Sequence, residues 1–445
     1  MKLSIMYTLQ PSVNDGEKWM LLGDSNTNMM RGFMEELFKQ VNCELTFNIL
    51  VPYAENCSDY DMLLEGLDLP LDNVILWHTS PEAPVDANRY RYFFNDKNTA
   101  TIDEWFLQDA DNFVFWNNIP EQTANYMSYL RHPKAEVETP ENLFIVNCCY
   151  FLDSPLHAKT APESRDYKKM SANWWRQVEG ALRADIAGFC CDGNLNQFME
   201  GASYTHTDHI VQQLTKKAHV FRFGYSPTEL SAAVEVGWDR LDNNMYAAGK
   251  ELIVFPNRIT TPDYTNFELF AEAMRILSNL RDDFVWTATN PGQKYIKNAD
   301  MVNNKDYPNY FFTSDYNLDR VQYASLLAHA TIHCSLFVEE ANGGCACREA
   351  MHCKSLPVMP FANEYTRLAT AHYPGYINVK DGKVTAEDIA IACDRLLTRV
   401  KDNEMKWQDF AEDYEFNHEM GSFVNSTAVV IDALSDVCNI DCLQD

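Results

Sequence analysis

Apolar residues along this chain gather in short runs that are separated by amphipathic segments. The first runs are KLSIMY, ELTFNILVP, NVILWHT, NFVFWNN and NLFIVNCC. From Asn28 to Gln40 the apolar residues recur with a helical period, which predicts an amphipathic helix after the first run. Strands that alternate with helices are typical of a parallel sheet, so we expect an α/β domain here.

A second series of the same kind begins near residue 250. Its runs are ELIVFPN, DFVWTATN, YFFTSD, TIHCSLF, LPVMPF and YINV, with a helix predicted from Asn266 to Leu280. We therefore expect two doubly wound, Rossmann-like domains, residues 1–225 and 250–419, joined by a linker from Ser231 to Gly249. Helical periodicity after residue 423 predicts that residues 420–445 form a helix that crosses back to the first domain.

Composition narrows the classes of function. The 445 residues exceed what one core usually fills, and 36 Lys and Arg against 64 Asp and Glu give a formal net charge of -28. Such a charge opposes nonspecific binding to nucleic acid or anionic membrane, so any anionic partner must meet a local basic patch. The 13 cysteines form no zinc-type pairs and no run is long enough to span a bilayer, so we expect a reduced, cytoplasmic protein.

The segment LFVEEANGGCACREAMHCKSLP, residues 336–357, carries the richest candidate chemistry. Gly343 and Gly344 precede a predicted helix, and peptide N–H groups at such a turn suit a diphosphate. The carboxylates of Glu340 and Glu349 suit sugar hydroxyls. A tight glycine turn, followed by an acidic residue that the helix dipole stabilises, would produce the same pattern without any ligand.

Five segments in order resemble retaining GT-B glycosyltransferases of family 4, over roughly residues 180 to 360. They are ALRADIAGFCCDGN, KKAHVFRFGYSP, ELIVFPNRITTPDYTN, LDRVQYASLLAHATIHCSLF and EEANGGCACREAMHCKSLPV. In that family the last segment holds two acids with seven residues between them: the first reaches the donor sugar and the second holds the ribose. Glu349 matches the second acid. The strict spacing falls on Ala341, so matching the first acid to Glu340 assumes one inserted residue.

The same resemblance assigns a role to Arg258 in the segment FPNRI. It is similar to the family's arginine after the first strand of the nucleotide domain, which neutralises the donor diphosphate through its planar guanidinium. Family members usually add a lysine a few residues later, but residues 261–266 are TPDYTN. The charge on the leaving group would then be balanced by Arg258 and by the amides of Gly343 and Gly344. A surface salt bridge is the alternative interpretation of Arg258.

In the first predicted domain, the resemblance indicates two further candidates. Gly23 precedes the residues SNT at a helix start and is similar to the glycine-containing first loop of the fold, although helix capping alone gives this pattern. The family's histidine after a strand is replaced here by the residues NCC at 147–149. His157 is the substitute that we predict, and a purely structural histidine is the alternative.

The resemblance implies a metal-independent GT-B enzyme with a cleft between its domains and no organic cofactor. The enzyme would move a sugar, from a UDP-sugar in the favoured case, to an acceptor hydroxyl with retention of configuration. Basic and aromatic residues mix in NRYRYFF and SRDYKKMSANWWRQ, as a nucleic-acid acceptor requires, so we favour a hydroxymethylated base of phage DNA in the host cytoplasm. Amphipathic helices with buried tryptophans would give similar segments. A glycan or small-metabolite acceptor, a sugar-nucleotide epimerase or hydrolase, and a non-catalytic sugar-nucleotide-binding module remain as alternatives, and a membrane partner is not expected.

Overall fold

The computed structural model describes residues 1–9, 25–51, 63–64, 67–78, 96–118, 139–149, 152, 167–222, 224–237, 249–258, 265–290, 307–310, 318, 320–338, 344–402 and 404–438. Two compact units share the chain: Met1–Phe223 together with Phe423–Asp445, and Gly224–Ser422. None of the helices in the described ranges is both long and apolar enough to cross a bilayer.

The first unit is built on a parallel sheet. Its described strands are β1 (Lys2–Thr8), β2 (Glu44–Val51), β3 (Val74–His78), β4 (Asn112–Asn117), β5 (Leu143–Cys149), β6 (Ile186–Phe189) and β7 (Ala218–Val220). They lie in the order β3-β2-β1-β4-β5-β6-β7, so the strand order reverses between β1 and β4. The central strands are buried almost throughout, because helices cover both faces of such a sheet.

Helices connect these strands and pack on the sheet. Those described are α1 (Ser25–Gln40), α2 (Asp96–Trp105), α3 (Tyr167–Arg183), α4 (Asp192–Thr205) and α5 (Asp208–Lys217). Trp116 of β4 is fully buried, and its ring lies 5.2 Å from the ring of Tyr7 and 5.2 Å from that of Phe33 on α1. These aromatic contacts fix α1 over the point where the strand order reverses.

The second unit holds another parallel sheet. Its described strands are β8 (Glu251–Arg258), β9 (Phe284–Asn290), β10 (Ile332–Cys334), β11 (Leu356–Pro360) and β12 (Tyr376–Ile377), in the order β12-β11-β10-β8-β9. The described helices are α6 (Pro227–Gly237), α7 (Phe267–Ser278), α8 (Arg320–His329), α9 (Cys345–His352), α10 (Ala386–Asp402) and α11 (Trp407–Asp413). Successive residues of β8 enter two different cores: Ile253 and Phe255 pack with α7 and α10, whereas Leu252 and Val254 pack with α8.

The last helix, α12 (Phe423–Cys438), packs on α1 of the first unit. A Cβ atom at Gly32 would overlap the ring of Phe423, so the glycine leaves the space that this ring fills. The Phe423 ring also meets the ring of Phe33 edge-on, with centroids 5.2 Å apart. The hydroxyl of Ser426 donates to the carbonyl oxygen of Arg222.

Most of the predicted elements are confirmed, and so is the α/β fold with two doubly wound parallel sheets. The linker predicted to begin at Ser231 is wrong at its start, because Pro227–Gly237 is helical. Leu230 and Ala233 of this helix are buried beside Leu327 of α8, so the segment belongs to a core. The strand predicted from YFFTSD lies mostly outside the described residues, although Tyr310 forms a bridge to Trp286.

Candidate functional site

The second sheet has its topological switch point between β8 and β10, where the strand order changes direction. These two strands are parallel neighbours, with Ile253 opposite Ile332 and Val254 opposite His333. The chain segments that leave their carboxyl ends therefore emerge at the same edge of the sheet. Open α/β sheets bind ligands at this place. Arg258 ends β8, and the segment after β10 leads to Gly344 and α9.

The carboxyl end of β8 contains a β-bulge. Phe255 pairs with Ala288 and Arg258 with Asn290, so Pro256 and Asn257 together oppose the single residue between Ala288 and Asn290. A proline suits such a position because it has no N–H to donate to the sheet. Bulges change the direction of the following side chains and are frequent near active sites. The backbone of Arg258 is described, but its side chain is outside the described part.

Two asparagine side chains hold the segment that follows β10. Asn266, in the left-handed conformation with φ 62°, donates from Nδ2 to the carbonyl oxygen of Leu336 at 2.7 Å. Asn363 donates from Nδ2 to the carbonyl oxygen of Val338 at 2.9 Å. Segments that follow β8 and β11 are thereby tied to the segment after β10, which restricts its path toward α9.

Gly344 occupies the N-cap position of α9 with φ 60° and ψ 121°. Side chains rarely tolerate positive φ, so a glycine is favoured here. A Cβ atom would also lie 3.4 Å from the hydroxyl of Tyr365. The first peptide N–H groups of a helix have no partner within the helix, and together with the helix dipole they favour an anion. Because α9 packs on β8, β10 and β11, its N-terminus lies at the switch point.

Glu349, in the second turn of α9, is 8% exposed and takes part in a buried charge network. Its Oε1 lies 2.7 Å from Nη2 of Arg320, and its Oε2 accepts a hydrogen bond from the hydroxyl of Tyr323 at 2.8 Å. The same guanidinium pairs with Glu229 of α6, with Nε 3.1 Å from Oε1. One arginine of α8 therefore links two carboxylates from two other helices.

The charges in this network change the pKa values of their neighbours. Burial by itself would lower the pKa of Arg320, but Glu349 and Glu229 outweigh this effect and raise the pKa. Burial, and then the charge of Glu349, raise the pKa of Tyr323 well above its ordinary value, so its hydroxyl remains a donor. Within the described ranges each oxygen of Glu349 has one partner, and a carboxylate oxygen can accept from a second donor.

Arg348, the residue before Glu349, forms a second buried pair that the sequence analysis missed. Its Nη2 lies 3.6 Å from Oε1 of Glu364, and both side chains are only 1% exposed. Glu364 also lies 3.9 Å from Nε of Arg367. No pattern in the sequence indicates that Arg348 is buried, since an arginine on a short helix usually faces solvent.

Several of the predicted site residues are not described by the structure. Glu340, Gly343, His157 and Gly23 lie outside the described residues. The basic-aromatic segment NRYRYFF at 88–94 lies outside them as well. Of the site predicted in the second domain, the structure describes the backbone of Arg258 at the end of β8, Gly344 at the N-cap of α9 and Glu349 on α9, and α9 packs on β8.

The basic-aromatic segment SRDYKKMSANWWRQ lies partly on α3. Trp174 is buried and donates from Nε1 to the hydroxyl of Thr205 at 3.1 Å, as expected for a residue of the core. Trp175 is 50% exposed, and its ring lies 4.5 Å from the ring of His206. Arg176 follows on the exposed side of the helix.

Comparison with known proteins gives no match to any protein-family model and none to any curated protein sequence. Solved structures do match over almost the whole chain. A glycosyltransferase from Rickettsia africae superposes with a TM-score of 0.61 at 12% identity, covering 99% of this chain and 100% of that one. The Anabaena protein HepE, in complex with UDP-glucose, also gives 0.61 at 13% identity, covering 97% and 99%.

The fold is GT-B. It unites two Rossmann-like units of the kind described above, each with a parallel sheet. A UDP-GlcNAc 2-epimerase from Methanocaldococcus jannaschii matches as well, with a TM-score of 0.51 at 12% identity, covering 97% of this chain and 100% of that one. At such identities these similarities establish the fold and not the chemistry.

Proposed function

We propose that this GT-B protein is a glycosyltransferase that moves a sugar from a nucleotide-diphosphate sugar, specifically a UDP-sugar, to an acceptor hydroxyl with retention of configuration. The observation that carries the proposal is the switch point of the second sheet. There the end of β8 with Arg258 and the N-terminus of α9 with Gly344 lie at one edge. A guanidinium and the peptide N–H groups of a helix N-terminus are the donors that a diphosphate requires.

In the proposed reaction, negative charge grows on the departing diphosphate. Arg258 and the amides of Gly343 and Gly344 stabilise that charge, Glu349 binds the ribose, and Glu340 orients the donor sugar. Catalysis is then mainly positioning and electrostatic stabilisation by groups that are already in place. We assign a catalytic role to His157 and a donor-binding role to Gly23, both by the family resemblance alone.

For the acceptor we propose a hydroxymethylated base in phage DNA. Its support is the pair of exposed neighbours Trp175 and Arg176 on α3, since stacking surfaces next to cations suit nucleic acids. The net charge of -28 requires such a local site. We expect transfer of labelled sugar to hydroxymethylated DNA that weakens steeply with added salt. Transfer to a soluble glycan, with none to this DNA, would show that the acceptor proposal is wrong.

The donor proposal is tested with two variants of the same charge network. Glu349→Gln and Glu229→Gln each remove one carboxylate from Arg320, but only Glu349 is proposed to bind the ribose. We expect Glu349→Gln to weaken UDP binding about tenfold, as for the loss of one charge-assisted hydrogen bond, and Glu229→Gln to change it less than about twofold. Titration calorimetry measures both. Equal effects would remove the ribose role of Glu349.

A sugar-nucleotide epimerase is the second candidate, because an enzyme of that activity shares the fold. Product analysis after incubation with UDP-sugars distinguishes the two. An epimerase converts the donor sugar with no acceptor present, whereas a glycosyltransferase releases UDP in proportion to the glycosylated acceptor. A binding module would consume no donor under either condition.

A further inference from the structure

Asn257 lies at the switch point of the second sheet, in the bulge that precedes Arg258. β8 is the strand that adjoins β10 on one side and β9 on the other, so its carboxyl end is the centre of the edge where the diphosphate is proposed to bind. Neither the sequence pattern nor the family resemblance assigned a role to this residue.

The side chain of Asn257 is buried without being fully paired. The residue is only 6% exposed, and its Nδ2 has no hydrogen-bond partner among the residues that the structure describes. An amide nitrogen that is removed from water without a partner costs free energy, so native proteins rarely keep one without a reason. Pro256 beside it has no N–H, and the bulge has already interrupted the ladder of the sheet at this point.

We propose that Asn257 is a substrate-binding residue whose Nδ2 donates a hydrogen bond to a diphosphate oxygen of the donor. This inference rests on the proposed function and adds a contact to the same site. An amide nitrogen is a neutral donor, so it complements the positive charge of Arg258 and the peptide donors at Gly344. The described part of the chain offers this nitrogen no acceptor, and a diphosphate oxygen would supply one.

The alternative is that Asn257 only maintains the shape of the bulge. The two roles predict opposite combinations of stability and affinity. Asn257→Leu keeps the approximate side-chain shape and removes the unpaired nitrogen. If the residue serves the ligand, the variant unfolds at the same or a higher temperature and yet binds the diphosphate more weakly. If it is structural, the unfolding temperature falls.

The experiment uses the full chain and titration calorimetry with UDP, GDP and ADP, each paired with its nucleoside. The nucleotide that binds the wild type is then titrated into Asn257→Leu and Asn257→Asp. Asn279→Asp is the matched control, because Asn279 is exposed at the C-terminal end of α7, at the opposite edge of the sheet. Thermal unfolding of each variant accompanies the titrations.

We expect Asn257→Leu to bind the diphosphate about 10- to 100-fold more weakly, with an unchanged affinity for the nucleoside. Asn257→Asp should be weaker still, since its charge repels the diphosphate, and Asn279→Asp should resemble the wild type. If Asn257→Leu binds like the wild type, or loses stability and nucleoside affinity together, the inference is wrong while the proposed function stands. If the wild type binds no nucleoside diphosphate, the proposed function fails and the inference fails with it.

Discussion

At the scale of single residues, the charged side chains of α9 show how neighbours acquire different roles. Consecutive residues of a helix point in different directions, so Arg348 meets Glu364 while Glu349 meets Arg320. Both pairs are largely withdrawn from water. Removing one member of a buried pair leaves an uncompensated charge, which makes these positions far more sensitive than surface ion pairs.

His333, in the middle of β10, gives a prediction about pH. The residue is fully buried and its Nε2 lies 3.4 Å from Sγ of Cys347. Burial lowers its pKa to about 3, and a backbone hydrogen bond with Ser355 opposes that shift only partly. The unfolded chain, with a histidine pKa of about 6.5, therefore takes up the proton first. The contribution of His333 to stability is complete above this value and is lost as the pH falls toward 3.

We expect the wild type to lose about 2 kcal/mol more unfolding free energy than His333→Gln between about pH 7.5 and about pH 5. Urea unfolding at the two pH values measures the difference. Burial also lowers the pKa of His206, His219, His352 and His418, but these groups titrate in both proteins and cancel from the comparison. An equal loss in both proteins would contradict the assignment to His333.

At the scale of elements, α9 is a short helix that depends on its surroundings. Its described length is 8 residues, fewer than an isolated helix needs to be stable in water. Cys347 and Met351 anchor one side of it in the core with α7 and α10. The Arg348 to Glu364 pair joins it to the 3-10 turn Asn363–Arg367, whose first residue also holds the segment after β10.

This pair gives a prediction for the element. Arg348→Met should lower the unfolding free energy by about 3 to 5 kcal/mol, because Glu364 then remains buried with Arg367 as the weaker partner. Adding Glu364→Leu should recover part of the loss, since it removes the uncompensated charge. Denaturant unfolding of the two single variants and the double variant forms the cycle. Losses that simply add would show that the two residues do not act as a pair.

At the scale of the whole molecule, the chain enters and leaves the second unit at adjacent points. The N–H of Tyr225 donates to the carbonyl oxygen of Gly421 at 3.1 Å, and Tyr225 forms a parallel bridge with Ser422. A Cβ atom at Gly224 would overlap that same carbonyl oxygen, so the two chain segments need a glycine for their close approach. Adjacent ends are what an inserted domain requires, and they leave α12 free to complete the first unit.

Phe423 tests whether α12 completes the first unit energetically. Phe423→Ala removes the ring that fills the space over Gly32 and contacts Phe33, and should lower the stability of the first unit by about 3 to 5 kcal/mol. Val424→Ala, at a position that is 44% exposed on the same helix, is the control with little effect expected. Calorimetry combined with limited proteolysis reports which unit unfolds first. Unchanged proteolysis of the first unit would contradict the prediction.

Local sequence patterns were sufficient to predict the α/β class, the two series of strands and the position of most elements. A buried parallel strand such as Leu143–Cys149 is a continuous apolar run, and in an amphipathic helix such as Phe267–Ser278 the apolar residues recur every three to four positions. Both patterns can be recognised within a short stretch of sequence. The resemblance of the segment around Glu349 to a known motif also led to the site that we propose where β8 and β10 end, which stays a prediction.

The tertiary structure alone decided which partners the site residues have. Nothing near Glu349 in the sequence indicates that Arg320 and Tyr323 fill one position on each of its oxygens, or that Glu229 shares the same guanidinium. Burial of a charge and the pairing of an amide depend on residues that are distant along the chain. A local pattern of apolar and polar residues indicates whether a segment is a helix or a strand. It does not indicate which distant residues will pack against that segment.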